Sequence, residues 1–240
     1  MAKQPDTEPT LVWERPEPPT RPAPTPLSRD EIVRVAIELA DADGLDSVSL
    51  RKVAAALDAG PMRLYGYLST KDELLDLMVD AVYGEIGGPA KGAADWRAAL
   101  WSLAQRTRKA ALRHEWFVDL LAGRPHLGPH ALATLEASLV ALAAPGIGID
   151  RVVQAVGTVN AYVVGALRKE ISELCAARAT GMNERQWQVT VGPYLSRMLA
   201  TGRYPTLARA VWDAAHPGAA TVFDTGLGCV LDGVATQLAN

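Results

Sequence analysis

The stretch Ser49-Leu50-Arg51-Lys52-Val53-Ala54-Ala55-Ala56-Leu57-Asp58-Ala59-Gly60-Pro61-Met62-Arg63-Leu64-Tyr65-Gly66-Tyr67-Leu68-Ser69-Thr70-Lys71-Asp72-Glu73-Leu74-Leu75 decides how this 240-residue chain folds. Leu50, Val53, Ala54 and Leu57 recur at the helical period, and either Ser47 or Ser49 can cap the short helix they define. Only Asp58-Ala59 separates it from a second short helix, predicted from about Gly60 to Leu68. Thr70-Lys71-Asp72-Glu73 then forms a capping box that opens a longer helix through Leu74, Leu75, Leu77, Met78 and Val82. Two short helices joined by so tight a turn have the form of a helix-turn-helix, whose first helix crosses a duplex backbone while the second enters the major groove.

Upstream, Leu27-Ser28-Arg29-Asp30-Glu31-Ile32 combines a capping box, Ser28 with Glu31, and a hydrophobic staple, Leu27 with Ile32. Ile32, Val35, Ala36, Leu39 and Ala40 continue that helix until Gly44 ends it. Charge is distributed unevenly between these helices. Residues 49–71 carry Arg51, Lys52, Arg63 and Lys71 against the single acid Asp58, whereas 28–46 carries six acids against Arg29 and Arg34. The cations therefore fall where a docked duplex would lie. Tyr65 and Tyr67 offer hydroxyls to phosphates, and Lys71 adds a cation to the positive end of a helix. Leu64 shares the helical period of Leu57 and Leu68 and is expected in the core. An ordinary solvated helical hairpin with surface cations is the alternative.

The whole chain has a net charge of −3 and a pI of about 5.8, so any affinity for a polyanion has to be local. No apolar run approaches the ~20 residues of a membrane span, and the N-terminal MAKQPDTEPT lacks the apolar core of a secretory signal. A cytoplasmic protein with no membrane partner is expected. Cys175 and Cys229 form neither a CxxC pair nor a group with histidine, and His114, His126, His130 and His216 lack ligand spacing, so no metal is expected. Residues 1–26 hold eight of the sixteen prolines and only Leu11, Val12 and Trp13 as bulky apolar residues. They are read as a disordered, polyproline-like arm, with Arg15 and Arg21 within reach of DNA but nearly cancelled by Glu14 and Glu17.

After a Gly/Pro/Ala break at 87–92 the pattern is again helical, at roughly 94–113, 115–122, 128–143, 149–176, 184–200, 205–215 and 219–238, with no credible strand. The expected fold is all-α: a three-helix, helix-turn-helix DNA-binding domain at 27–87, and a larger helical ligand-binding and dimerisation domain at 88–240. Within 149–176, Gly157, Ala161 and Gly165 form a small-residue stripe suited to close helix approach, while Gln154, Thr158 and Tyr162 put polar groups on a neighbouring apolar face. Trp101, Thr107, Trp116, Phe117, Gln154, Thr158 and Tyr162 are expected to line a pocket, because ligand sites are mostly apolar with a few convergent polar groups. Ordinary core packing is the competing reading of each.

The stretch Ser28 to Leu77, above all the run ending Leu64-Tyr65-Gly66-Tyr67-Leu68 with Lys71 heading the next helix, resembles the DNA-binding domain of the TetR family. Trp96, Gly123-Arg124-Pro125, and Val222-Phe223-Asp224-Thr225-Gly226-Leu227 with Leu231-Asp232-Gly233 resemble the C-terminal domain of its tetracycline-repressor branch. The resemblance implies that Ser49 and Arg51 lie at the DNA-facing start of the second helix. It puts Gly60, Pro61, Met62 and Arg63 at the groove, and Tyr65, Tyr67 and Lys71 on phosphates. Arg pairs with guanine, while Met and Pro give only apolar contact, for example to a thymine methyl. One departure stands out: Asp58 occupies a turn where the family usually has Gly, so either Asp takes the left-handed conformation or the turn is altered. The resemblance also implies a homodimer, built from the helix at 149–176 and the last helix of each protomer. Gly157, Ala161, Gly165, Phe223, Leu227, Val230, Leu231 and Val234 would then form the interface, although a bundle core within one monomer is the alternative. Leu103, Thr107 and Leu121 fall where the tetracycline repressor's polar drug ligands would be, which argues against a magnesium-chelated tetracycline.

The function expected is that of a DNA-binding transcription regulator, a repressor released from a palindromic operator by a small-molecule effector. A helical protein-interaction adaptor is the rival, but it would leave the basic 49–71 face unused. No enzyme motif such as GxSxG, HExxH, Walker or dinucleotide fingerprint occurs, so neither catalysis nor a cofactor is expected.

Overall fold

A computed structural model of the chain describes residues 11–18, 27–88, 95–121, 123, 125–143 and 146–239, and these contain helices and turns but no strand. The helices are α1 (Arg29–Asp43), α2 (Leu50–Ala56), α3 (Pro61–Leu64), α4 (Lys71–Ile86), α5 (Trp96–Arg113), α6 (Phe117–Leu120), α7 (Pro129–Leu142), α8 (Ile149–Thr180), α9 (Glu184–Ala200), α10 (Pro205–Trp212) and α11 (Ala219–Ala239). Each segment read as helical is a helix. Most of the Gly/Pro/Ala break, Arg124, Ala144-Pro145 and most of the arm lie outside the described residues. No helix among those described is long and apolar enough to cross a membrane. The chain divides into two compact units, Met1–Val152 and Val153–Asn240.

In the first unit α4 is the central strut, in contact with α1, α5, α6 and α7. It can do so because Leu74, Leu77, Met78, Val79, Asp80, Val82 and Ile86 bury more than one of its faces. One of these is polar. Asp80 accepts a hydrogen bond from the Ala131 N–H at 2.9 Å, so a carboxylate from α4 caps the first turn of α7 and satisfies a donor with no partner inside that helix. Gly128 precedes α7 because nothing larger fits: a Cβ there would fall 2.7 Å from the Asp80 Cβ.

A second polar cluster ties α1 to the α5–α6 junction. His114 is 1% exposed, and its Nδ1 lies 2.8 Å from Asp41 Oδ1 while its Nε2 lies 3.3 Å from Glu85 Oε2. Trp116 Nε1 also donates to Asp41 Oδ1, at 2.7 Å. Phe117 packs edge-on against Tyr83, with centroids 5.5 Å apart. Trp116 and Phe117 are therefore core residues that hold α6 to α1 and α4, not free pocket walls. They carry the helical period of buried residues, and sequence alone does not separate a buried tryptophan with a bonded N–H from one that lines a cavity.

Leu11–Pro18 belongs to the segment expected to be a disordered arm, yet it is packed. Val12 is buried, and the chain turns as Glu14 N–H donates to the Leu11 carbonyl at 3.0 Å. Val12 docks the strap with half-buried Trp13 and Pro18 beside it, and its prolines reduce the conformational freedom lost in ordering it.

In the second unit, Tyr162 of α8 donates its hydroxyl to the Phe223 carbonyl of α11 at 2.8 Å, and Gln237 donates to Gln154 at 2.8 Å. A Cβ on Gly226 would lie 2.7 Å from Tyr162 Cζ, so that glycine permits the approach of the two helices. α9 opens on a reciprocal capping box between Asn183 and Gln186.

Candidate nucleic-acid interface

The surface in question is built by α2, α3 and the first turn of α4. Ser47 donates its hydroxyl to the Leu39 and Gly44 carbonyls in a short 3-10 turn, which leaves Ser49 as the cap of α2, accepting from Lys52 N–H at 3.2 Å. Of the two serines read as candidate caps, position 49 is the one used. Asp58 has φ +48°, the left-handed conformation, which is one of the two alternatives the sequence left open for this turn. That conformation brings the Ala59 N–H to the Ala54 carbonyl at 2.9 Å and ends α2 sharply.

Gly60 and Pro61 then start α3, with Pro61 at a position whose missing N–H would have no helical partner. The helix is shorter than the Gly60–Leu68 span expected. After one turn, Gly66 N–H bonds back to Arg63 O at 3.3 Å and Tyr67 N–H to Leu64 O at 2.9 Å, the tighter i to i+3 pattern that closes a helix. Leu64 is fully buried, as its period required. With that side chain as anchor, the opposite face of the turn points outward: Met62 is 80% exposed, Tyr65 is half exposed, and Gly60, Pro61 and Arg63 are exposed with them.

Arg51, Lys52 and Lys71 complete the exposed row. Among the described residues, none of Arg51, Lys52, Arg63 and Lys71 is held in an ion pair, unlike Arg34, which bridges Glu31 and Glu38 on α1. Free cations beside an exposed methionine can meet phosphates and a thymine methyl together. Tyr67 departs from the expectation. It is 8% exposed and donates its hydroxyl to the Leu27 carbonyl at 2.7 Å, so it fastens the α3–α4 turn to the start of α1 and has no hydroxyl to offer a phosphate. Tyr65 and Tyr67 are two residues apart and so on different faces of the turn, which the shortening of α3 decides.

The packed strap reaches the same place. Arg15 donates to Ser69 Oγ at 2.7 Å and pairs with Glu73, while Arg29 donates to the carbonyls of Arg15 at 3.0 Å and Tyr67 at 3.4 Å. Glu73 also accepts from Ser69 N–H at 2.6 Å, and its own N–H donates to Thr70 Oγ1 at 3.1 Å. Burial pulls the Glu73 carboxyl upward, but the Ser69 N–H and the Arg15 guanidinium outweigh it and leave the carboxyl below its ordinary value. Arg15 belongs to this surface through contacts with residues more than fifty positions away, which no local spacing announces.

The remaining expected site residues divide between the two units. Trp101 and Thr107 are half-buried on α5, and the Thr107 hydroxyl donates to its own helix at Leu103 O. In the second unit, Thr158 likewise donates to Gln154 O, and Gln154 and Tyr162 are engaged with α11. Gly157, Ala161 and Gly165 are exposed, and a Cβ on Gly157 or Gly165 meets nothing within 4 Å, so no close approach occurs at these positions within the chain. Phe223, Leu227, Leu231 and Val234 are buried by the chain's own atoms, with Val230 half-buried. The first four are core residues rather than a surface for a second copy. A broad apolar face looks the same in sequence whether its own chain or a partner covers it.

Residues 88–238 match the model of the tetracycline-repressor-like C-terminal domain family. The chain is 39% identical over 232 residues to the HTH-type transcriptional repressor DrrR1 of Streptomyces coeruleorubidus, covering 95% of this chain and 85% of that one. It is 30% identical to the tetracycline repressor protein class A from transposon 1721 of Escherichia coli, covering 89% of this chain and 93% of that one. Among solved structures, the transcriptional regulator SCO7222, a TetR from Streptomyces coelicolor, matches with a TM-score of 0.70 at 27% identity, covering 88% of this chain and 99% of that one.

Proposed function

The chain belongs to the TetR family of helix-turn-helix transcription regulators, and from that premise we propose that Ser49, Arg51, Gly60, Pro61, Met62, Arg63, Tyr65 and Lys71 hold operator DNA. It is a DNA-binding transcription repressor, as its relatives are named, and not an enzyme. The observation that carries the assignment of residues is the exposed, unpaired row Arg51, Lys52, Met62, Arg63 and Lys71 raised over the buried Leu64. α3 enters the major groove, Arg63 reads a base edge, and Lys71 takes a phosphate at the positive end of α4. In a salt titration against the chain's own upstream DNA, Lys71→Ala is expected to weaken binding to all sequences and lower the salt slope by about one unit. Arg63→Ala is expected to cost about 1–3 kcal/mol and relax specificity at one base pair. Wild-type affinity in both variants removes the assignment.

The repressor acts as a homodimer, because one helix-turn-helix makes too small an interface for tight binding and two-fold proteins match palindromic half-sites about 34–36 Å apart. The exposed stripe Gly157, Ala161 and Gly165, with Val230, is the surface proposed for the second copy. Gly157→Leu is expected to weaken the dimer by about 1–3 kcal/mol through overpacking, and operator affinity with it. An unchanged sedimentation profile places the interface elsewhere.

Release follows binding of a small organic effector within residues 88–240, a reading supported by the name of the tetracycline repressor among the relatives. Trp101 and Thr107 in the first unit, and Gln154, Thr158 and Tyr162 in the second, remain two separate sets of candidates to contact it, whereas Trp116 and Phe117 are withdrawn to the core. The effector relieves repression only by favouring the DNA-incompetent arrangement over the competent one.

A further inference from the structure

Glu73 stands in the first turn of α4, two residues from Lys71, at the helix end that the operator-binding reading gives to a phosphate. A free carboxylate at that point repels the phosphate and offsets both Lys71 and the positive helix terminus. The strap removes the conflict. Arg15 and Glu73 pair with side-chain exposures of 28% and 25%, so the pair is shielded from much of the screening that weakens surface ion pairs. The guanidinium is turned into the protein: Nη1 donates to Ser69 Oγ and Nη2 is ion-paired with Glu73, while Nε is buried without a hydrogen-bond partner. The strap itself is fixed on both sides: Val12 is buried, and the Arg15 carbonyl is held by Arg29, which also reaches the Tyr67 carbonyl of the α3–α4 turn. Pro18 closes over Gly66, where an added Cβ would lie 3.2 Å from its ring.

We propose that Arg15 is a positioning residue for DNA binding, neutralising Glu73 so that the start of α4 can accept a backbone phosphate without touching the DNA itself. The inference rests on the operator-binding reading and adds to the DNA-binding domain a segment from outside the helix-turn-helix. It also explains why the acid is tolerated: Glu73 caps the Ser69 N–H and so orders the turn after α3, and Arg15 cancels the charge that this cap brings to the DNA face.

The test is a set of operator titrations over a salt series with full-length wild type, Arg15→Ala, Arg15→Lys and the double variant Arg15→Ala with Glu73→Gln. Arg15→Ala lowers operator affinity roughly three- to tenfold, through an uncompensated charge beside the phosphate. Arg15→Lys retains affinity within about twofold, because the charge is kept. The double variant recovers to within about twofold of wild type, because the glutamine amide still accepts from Ser69 while the charge is gone. Arg15→Ala leaves the salt slope unchanged. A loss that the double variant fails to recover makes the strap a mechanical brace and overturns the proposal. So does a salt slope lowered by about one unit in both Arg15→Ala backgrounds, which marks a direct phosphate contact. Full affinity in Arg15→Ala while Lys71→Ala still weakens binding overturns this proposal alone. Indifference of both Arg15→Ala and Lys71→Ala overturns the operator-binding reading beneath it.

Discussion

Phe117→Ala is expected to lower the unfolding free energy by about 3–5 kcal/mol, the range for truncating a fully buried aromatic ring. Phe117 has no exposed surface and stands edge-on to both Tyr83, at 5.5 Å, and Trp116, at 6.3 Å. Its helix, α6, is four residues long and cannot hold its shape by its own hydrogen bonds. Removing the ring takes away the contact with α4 and loosens Trp116, whose indole N–H is committed to Asp41. The melting temperature is expected to fall on the order of 10 °C for a chain of this size. Thermal unfolding followed by circular dichroism measures it. If Phe117 lined an effector pocket, the same substitution would leave the melting curve in place and shift only the response to effector, and that result would return the residue to the pocket.

Leu64→Ala is expected to cost about 2–5 kcal/mol, and to remove operator binding before it unfolds the rest of the chain. α3 is a single turn, and Leu64 is its only buried residue, so this side chain sets the direction in which Met62 and Arg63 point. Met62→Ala is the matching control. Met62 is 80% exposed, so its truncation should move stability by no more than about 0.5 kcal/mol while still lowering operator affinity. Together the two separate the residue that positions the reading helix from one that touches DNA. A Leu64→Ala protein with wild-type melting and affinity means that α3 is held by something other than this anchor.

The sequence by itself determined much of what local chemistry controls. Ser28 and Thr70 cap α1 and α4 because a side-chain oxygen three residues before a helical N–H is set by spacing alone, while at α2 spacing left Ser47 and Ser49 open and the structure uses Ser49. Leu64 is buried because the helical period fixes which side of one turn it occupies, whereas at Asp58 the sequence left two turns open and the structure takes the left-handed one. The basic row of α2, α3 and α4 was legible for the same reason: neighbouring residues on one short motif keep their relative places wherever the rest of the chain goes. What only the tertiary structure decided depends on partners far along the chain. Tyr67 belongs to Leu27, Arg15 to Ser69 and Glu73, His114 to Asp41 and Glu85, and Trp116 to Asp41. None of these pairings leaves a periodic trace, because a side chain's type and spacing show that it can bond or be buried but not which distant element meets it. Phe223, Leu227, Leu231 and Val234 make the same point with apolar residues: their face is plain in the sequence, and only packing shows that the chain itself covers it.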